Sequence, residues 1–200
     1  MFLTVALIAV ALVVAVPLGL WAVKSFAADD EANVRAVADA CRDALAAQDD
    51  AAALQACTAV EKALGGRLSD EAKQTVAARA RGEAVAPDAL RRLMLVVSAE
   101  RTASYGLARL DYRSGQTEAG AQYASAAIVW DAMDAKDLHD AIVHIPRGGD
   151  AVQLAKLQGE LGRDKLVPGE LEALYPGATA AAAQRLGFTP AAFAQEMASY

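Results

Sequence analysis

The chain has 200 residues, a formal net charge of -6, two cysteines, 55% hydrophobic residues and 22% charged residues. These values exclude a disordered tail, a disulfide-dense miniprotein and a multi-domain enzyme. Nucleic acid is excluded as a partner, because phosphate binding depends on clustered Lys and Arg and the sequence has no basic block.

The N-terminal segment is the most apolar part of the chain. No charged residue occurs from Phe2 to Val23, and Lys24 ends the run. Because a bilayer-spanning helix needs about 20 apolar residues, the run predicts a membrane anchor. The alternative is a cleaved signal peptide, since residues 25–27 form a small-x-small cleavage site. Residues 1–27 are therefore predicted to be a membrane anchor or signal segment, and residues 28–200 an α-helical domain.

The region from residue 28 to residue 133 is predicted to form an irregular array of antiparallel α/α hairpins. Alanine is abundant, and the alternation typical of strands is nowhere sustained. Turn and capping residues divide this region into helices joined by short turns. The predicted helices run from about Asp30 to Gln48, from the turn at Asp49 and Asp50 to Leu64, from a cap at Ser69 to a point before Pro87, from Pro87 to Gly115, and from near Gln116 to the Met133 region.

Residues 134–200 are predicted to form shorter helices. The last helix has the clearest sequence signals for its start. Thr189 is the predicted N-cap, Pro190 is the first helical residue, and Phe188 is expected to pack on Phe193. The others are a helix with His139 and His144 that stops at Pro146, and helices at Asp150 to Leu161, Gly169 to Tyr175 and Ala178 to Leu186.

One spacing occurs twice in the hairpin region. Ala119, Tyr123 and Ala126 place a small, a bulky and a small residue on one helix, and Ala53, Cys57 and Val60 repeat the spacing 66 residues earlier. In this respect the region resembles tetratricopeptide-type repeats, whose period is about 34 residues. The resemblance implies stacked α/α hairpins with a protein-binding surface. The alternative is an ordinary irregular helical bundle.

Cys41 and Cys57 lie on two consecutive predicted helices, at similar distances before and after the turn between them. In an antiparallel hairpin the two residues would lie opposite each other on neighbouring helices, which is the geometry that a disulfide needs. A bridge closing a loop of this size would stabilise the fold by roughly 3 kcal/mol. The alternative is a pair of buried free thiols acting as small apolar residues.

The orientation of the domain depends on two opposed signals. Lys24 follows the apolar run and by the positive-inside rule would place the domain in the cytoplasm. The acidic residues Asp29, Asp30 and Glu31 and the predicted disulfide oppose that placement, since disulfides persist in oxidising compartments. We therefore expect a single-pass protein of a bacterial inner membrane, with its C-terminal domain in the periplasm.

Asp137, Asp140 and His144 fall at positions i, i+3 and i+7 and therefore share one helix stripe. Two carboxylates and an imidazole in this pattern are weak candidates for a divalent metal site or an acid/base pair. The alternative, which we prefer, is a solvated helix face ending in a histidine that favours the helix C-terminus. We accordingly expect no metal and no cofactor.

Four aromatic residues, Tyr105, Tyr112, Tyr123 and Trp130, are candidates for contacts with a partner protein, because Tyr and Trp dominate interface energetics. Their alternative role is packing in the core. The sequence has no Gly-x-Ser-x-Gly elbow and no His-Glu-x-x-His pair, so no catalytic residue is assigned.

These observations predict a non-catalytic, membrane-anchored periplasmic protein. It would serve as an interaction scaffold or as an accessory subunit of a membrane complex, and its partners would be the membrane and another membrane or periplasmic protein. The alternative is a secreted soluble helical protein that binds a small ligand or a metal.

Overall fold

The computed structural model of the protein describes residues 30–64, 67–143, 150–164 and 167–200. Every regular element within these ranges is an α-helix, which confirms the all-α prediction. The predicted membrane anchor lies outside the described residues. Of the helices that are described, none combines the length and the apolar character needed to cross a bilayer.

Nine helices occur in the described ranges. They are α1 (30–46), α2 (Asp50–Leu64), α3 (Arg67–Ala80), α4 (Pro87–Ser114), α5 (Thr117–Val143), α6 (Ala151–Asp164), α7 (Val167–Leu174), α8 (Ala178–Arg185) and α9 (Pro190–Ser199). The boundaries of α2, α4 and α9 agree closely with the predictions.

The antiparallel pair of α4 and α5 is the centre of the fold. These are the longest described helices, with 28 and 27 residues. Pro87 begins α4 because a proline at the first helical position gives up only a backbone N–H that the helix leaves unpaired anyway. Gly115 ends it with φ 77°, and its N–H donates to the carbonyl oxygens of Asp111 and Tyr112.

Two main clusters of buried apolar side chains lie against this pair. The first joins α1, α2 and α3 to α4, and includes Val34, Val60 and Leu93. The second joins α5 to α7, α8 and α9, and includes Ile128 and Leu171. The helices before α4 and the helices after α5 therefore use the same central hairpin as their packing surface.

Two predicted boundaries are wrong. Ser69 does not cap α3, because that helix already includes Arg67. The predicted helix end near Met133 is also wrong, since α5 continues to Val143 as one helix. Residues 121–143 contain no glycine or proline, so nothing in this stretch breaks the backbone hydrogen bonds. The predicted division between residues 133 and 134 falls inside α5.

Two further helix boundaries, the end of α1 and the start of α6, differ from the predictions by one or two residues, and aspartates cap α2 and α6. Helix α1 ends at residue 46, and Gln48 has φ 57° in the turn. The Asp49 carboxylate then accepts a hydrogen bond from the N–H of Ala52 at 3.0 Å. Asp150 caps α6 in the same way, accepting from the N–H of Val152 at 2.9 Å.

Candidate functional site

Cys41 and Cys57 form a disulfide, which confirms the predicted pairing and excludes two free thiols. Their Cα atoms are 4.8 Å apart, and the bridge joins α1 to α2. Both residues have 0% exposure. Helix α4 covers the bridge at Gly106, where a Cβ atom would lie 2.9 Å from the Cys57 sulfur. The disulfide is thus part of the core beneath α4.

A charged cluster links α4 to α5 close to this disulfide. Arg101 of α4 contacts two carboxylates one helical turn apart on α5. Its Nε atom lies 3.8 Å from Oδ1 of Asp131, and its Nη1 atom donates to Asp134. The side chains of Asp131 and Asp134 are 1% and 9% exposed, against 26% for Arg101. A guanidinium held by two carboxylates has a fixed orientation, since its planar donors match their oxygen atoms.

Arg101 also faces a pocket of about 290 Å³ between α1, α4, α5 and α7. Its polar lining includes Arg42, Tyr105 and Asp131, and Leu45 and Val167 contribute apolar walls. Thr102 lines the pocket as well, and its carbonyl oxygen lies 3.9 Å from the Cys41 sulfur. A cavity with apolar walls and a few convergent polar groups is the usual form of a small-molecule site.

Tyr105 connects the rim of this pocket to α7. Its hydroxyl donates to Glu170 Oε2 at 2.9 Å and accepts from Arg109 Nη1 at 3.0 Å. The Arg109 guanidinium also lies 5.6 Å from the ring centroid, a cation–π distance. Burial raises the pKa of Tyr105, and the hydrogen bond to Glu170 raises it further, while the Arg109 guanidinium partly opposes this rise.

The four aromatic residues predicted to bind a partner occupy different environments. Tyr105 contacts α7, and Tyr112 packs edge-on against Tyr175 with 5.8 Å between ring centroids. Tyr123 and Trp130 are half-buried and pack against the first cluster. Tyr112, at 48% exposed, is the most accessible of the four.

The weak metal candidates Asp137, Asp140 and His144 do not form a metal site in the described part of the chain. Asp137 accepts two hydrogen bonds from Arg79 of α3, at 2.7 and 3.1 Å. Asp140 lies in the same groove between α3, α4, α5 and α6. His144 is outside the described residues, and those described hold no group of three or more His, Cys, Asp or Glu placed for a metal ion. A cation at Asp137 would have to displace the Arg79 guanidinium.

The charged cluster was not predicted as a site. Its signal was nevertheless present, because Arg101 occurs on the face of α4 that also carries Leu93, Val97 and Ala108, where a charge needs a partner. Asp131 and Asp134 stand one turn apart beside the buried Ile128 and Ala127 of α5. Pairing the two helices in antiparallel register would have placed these opposite charges together.

Comparison of the chain with protein-family models, with curated proteins and with solved structures finds no match. The resemblance to tetratricopeptide-type repeats therefore stays a prediction from residue spacing.

Proposed function

We propose that the protein is a non-catalytic helical domain held at the outer face of a bacterial inner membrane, where it binds another protein of the membrane or periplasm. The observation that carries the proposal is the buried disulfide between Cys41 and Cys57, which follows an uncharged run of 22 residues, 2–23. Disulfides persist in the periplasm and are rare in the cytosol. A domain with such a bridge behind an apolar N-terminal segment fits export across the membrane.

Tethering gives the domain its functional advantage. An anchor confines it to the membrane surface and raises its effective concentration near other membrane-bound proteins. The disulfide fixes α1 to α2, so the first hairpin presents a rigid surface. Tyr112 is the aromatic candidate for contact with the partner, because nearly half of its surface is exposed.

One experiment tests both the cellular compartment of the domain and the retention of the anchor. It measures the intact mass of protein purified from native membranes, with and without alkylation of the thiols. Alkylation must be done in denaturant, because both cysteines are fully buried and even free thiols would be protected in the folded protein. We expect a mass that retains residues 1–27 and gains no alkyl groups until a reductant is added. Two alkyl groups without reductant would place the domain in the cytoplasm and contradict the proposal.

A mass beginning at Ala28 would instead favour the second candidate, a secreted protein that binds a small ligand. The pocket between α1, α4, α5 and α7 is the specific observation that favours this function. The metal-binding form of this candidate has less support, since Arg79 already pairs with Asp137.

The protein-binding part is tested by placing a photocrosslinking amino acid at Tyr112 in the native host. We expect a discrete crosslinked product in the membrane fraction. Val152 of α6, which is 80% exposed, is the matched control position and should give none. Equal crosslinking at both positions, or none at either, would remove Tyr112 from the proposed interface.

A further inference from the structure

The groove between α3, α4, α5 and α6 has mainly hydrocarbon walls. Its volume of about 590 Å³ lies within the range for ligand pockets, roughly 300–1,000 Å³. Its apolar lining comes from three helices and the connection before α4, namely Val85, Leu90, Met94, Leu138 and Leu157. Leu90, Met94 and Leu157 are only half-buried, so part of this apolar surface is in contact with water. Covering it with an apolar molecule would be favourable.

The charged residues along this groove are already engaged. Asp137 accepts two hydrogen bonds from Arg79, at 2.7 and 3.1 Å, and Glu83 pairs with Arg81. Asp140, which also lines the groove, has an interaction of its own. A polar ligand would have to break one of these pairs to gain a partner. A hydrocarbon chain would cover the apolar walls and leave the pairs intact.

The groove lies at the end of the domain where the chain enters α1. The Nη2 atom of Arg91, in the first turns of α4, lies 3.8 Å from Oε1 of Glu31, the second residue of α1. Leu90 and Met94, which line the groove, lie within about 10 Å of the start of α4 along its axis. Leu138 belongs to the last turns of α5, which runs antiparallel to α4. The start of α1 and the groove are therefore at the same end of the central hairpin.

This end of the domain is close to the bilayer in the proposed function. Residues 24–29 join the apolar run 2–23 to α1, and a fully extended stretch of this length spans about 25 Å. The start of α1 therefore stays within this distance of the membrane surface. Phospholipid is then the apolar molecule with the highest local concentration at the groove.

We propose that the groove between α3, α4, α5 and α6 binds an acyl chain of a bilayer phospholipid, whose headgroup stays at the membrane surface. The hydrocarbon contacts Leu90, Met94 and Leu157. This inference rests on the proposed function, because the anchor is what holds the groove beside the bilayer. Binding fixes how the domain stands on the membrane, with the turn between α4 and α5, and Tyr112 beside it, at the end away from the bilayer.

The test uses the full-length oxidised protein in phosphatidylcholine vesicles. The vesicles include a phosphatidylcholine with a photoreactive diazirine at the end of one acyl chain, and mass spectrometry after irradiation and digestion maps the labelled residues. We expect label on residues 2–23, which reports the anchor, and on the groove at Leu90, Met94 or Leu157. Val76 of α3 is the control, because it is an exposed apolar residue that does not line the groove, and it should carry little or no label.

Matched variants assign the label to the groove. Met94→Gln keeps the shape of the side chain but makes the wall polar, and should lower the label at Leu90 and Leu157 by roughly threefold to tenfold. Met197→Gln is its control, because Met197 is also a half-buried methionine but lies on α9, outside the groove. Circular dichroism shows whether both variants fold.

A second pair of variants changes only exposed positions. Ala141→Lys places an ammonium group at the groove and should lower the label at Leu90, Met94 and Leu157 to a similar extent. Ala155→Lys, at an exposed alanine of α6 outside the groove, is the control and should leave the label unchanged.

The same position identifies the occupant in native membranes. A photocrosslinking amino acid at Ala141 should give an adduct with the mass of a phospholipid. An adduct with a second copy of the chain, or with a different protein, would assign the groove to that protein and overturn the inference.

Three results in vesicles would also overturn it. They are label on residues 2–23 without label in the groove, equal label at Val76 and in the groove, and equal effects of each groove variant and its control. All three leave the anchor intact, so the proposed function survives them. Absence of label from both residues 2–23 and the groove would instead contradict the anchor, and the inference would fail with it.

Discussion

The hydroxyl of Tyr175 occupies the space that a side chain on residue 120 would need. A Cβ atom built on Gly120 overlaps this hydroxyl and the ring carbon that carries it. The hydroxyl also donates to the carbonyl oxygen of Ala108 at 2.7 Å. Through this contact, the chain after α7 is fixed to both helices of the central hairpin.

Gly120→Ala should therefore destabilise the protein, although alanine normally favours a helix. Tyr175 is 4% exposed and has no room to withdraw, so we expect a loss of about 1–3 kcal/mol from overpacking. Urea unfolding followed by circular dichroism measures the change. Gly159→Ala in α6 is the matched control, since nothing lies within 4 Å of its added Cβ atom, and it should stabilise by up to about 1 kcal/mol. Equal effects at the two glycines would contradict the packing account.

Tyr175→Phe should cost about 1 kcal/mol, because it removes a buried hydrogen bond to Ala108 without removing the ring. In the Gly120→Ala background the same change should cost less or even stabilise, since it removes the atom closest to the new methyl group. A double-mutant cycle of urea unfolding measures this coupling. Additive effects of the two substitutions would show that residues 120 and 175 do not interact in this way.

Replacing both cysteines by alanine should lower the free energy of unfolding by about 3 kcal/mol, the value expected for a bridge that closes a loop of this length. Wild-type protein unfolded with a reductant should show a similar loss. Reduction of the folded wild-type protein should be slow, because Cys41 and Cys57 are fully buried. Thiol titration during incubation with a reductant measures this rate. Rapid reduction while the protein remains folded would show that the bridge is accessible and contradict the prediction.

Glu172 should stabilise the start of α8 in a pH-dependent way. Its carboxylate accepts hydrogen bonds from the N–H groups of Gly177 at 2.7 Å and Thr179 at 2.8 Å, and these bonds lower its pKa. A lowered pKa in the folded state means that the stabilisation is present above the ordinary pKa of glutamate and is lost as the pH falls through the lowered value.

Glu172→Gln should accordingly cost about 0.5–2 kcal/mol at pH 7, the range for losing a helix cap, and less at pH 3. Thermal unfolding at the two pH values checks this. Glu160→Gln is the control, because among the described residues Glu160 makes a 4.0 Å ion pair with the exposed Lys156, and its replacement should change stability by less than about 0.5 kcal/mol. A cost for Glu172→Gln that is the same at both pH values would rule out the charge as its cause.

Ionised Glu100 should destabilise the folded protein, in contrast to ionised Glu172. Burial raises its pKa, and the negative charge of Glu61 raises it further. A raised carboxylate pKa in the folded state means that ionised Glu100 opposes folding above that pKa. Glu100→Gln should therefore stabilise the protein at pH 7, with no gain at pH 3, where the carboxyl group is protonated in both states. In a Glu61→Gln background the gain should shrink but persist, since burial is the larger cause. Unfolding curves that give a loss of stability at pH 7 would contradict this assignment.

The sequence predicts helices best where backbone chemistry marks their ends. Pro87, Gly115 and Thr189 each act locally, through a fixed φ angle, a left-handed φ or a capping oxygen, so their positions could be read directly. Thr189 indeed accepts a hydrogen bond from the N–H of Ala192, and Phe188 packs on Phe193 as predicted. The disulfide was predictable for a related reason, because the hairpin turn fixes which residues of two neighbouring helices lie level.

The pocket could not be predicted in this way. Its lining comes from α1, α4, α5 and α7, and residue spacing along one helix gives no information about which other helices approach it. Arg101, Asp131 and Asp134 each lie beside apolar residues of their own helix, but the spacing along one helix does not show which other helix supplies the opposite charge. Only the crossing of α4 and α5 makes them a buried cluster.

The position of Gly106 over the disulfide also restricts when the bridge can form. An oxidant must reach at least one of the two sulfur atoms, yet in the folded protein both cysteines are fully buried and α4 lies directly against Cys57. The two thiols precede α4 in the chain, so during synthesis they emerge before the helix that covers them. Oxidation therefore belongs to the interval before α4 packs onto the first hairpin, and a chain that folds while still reduced must open again to acquire its bridge.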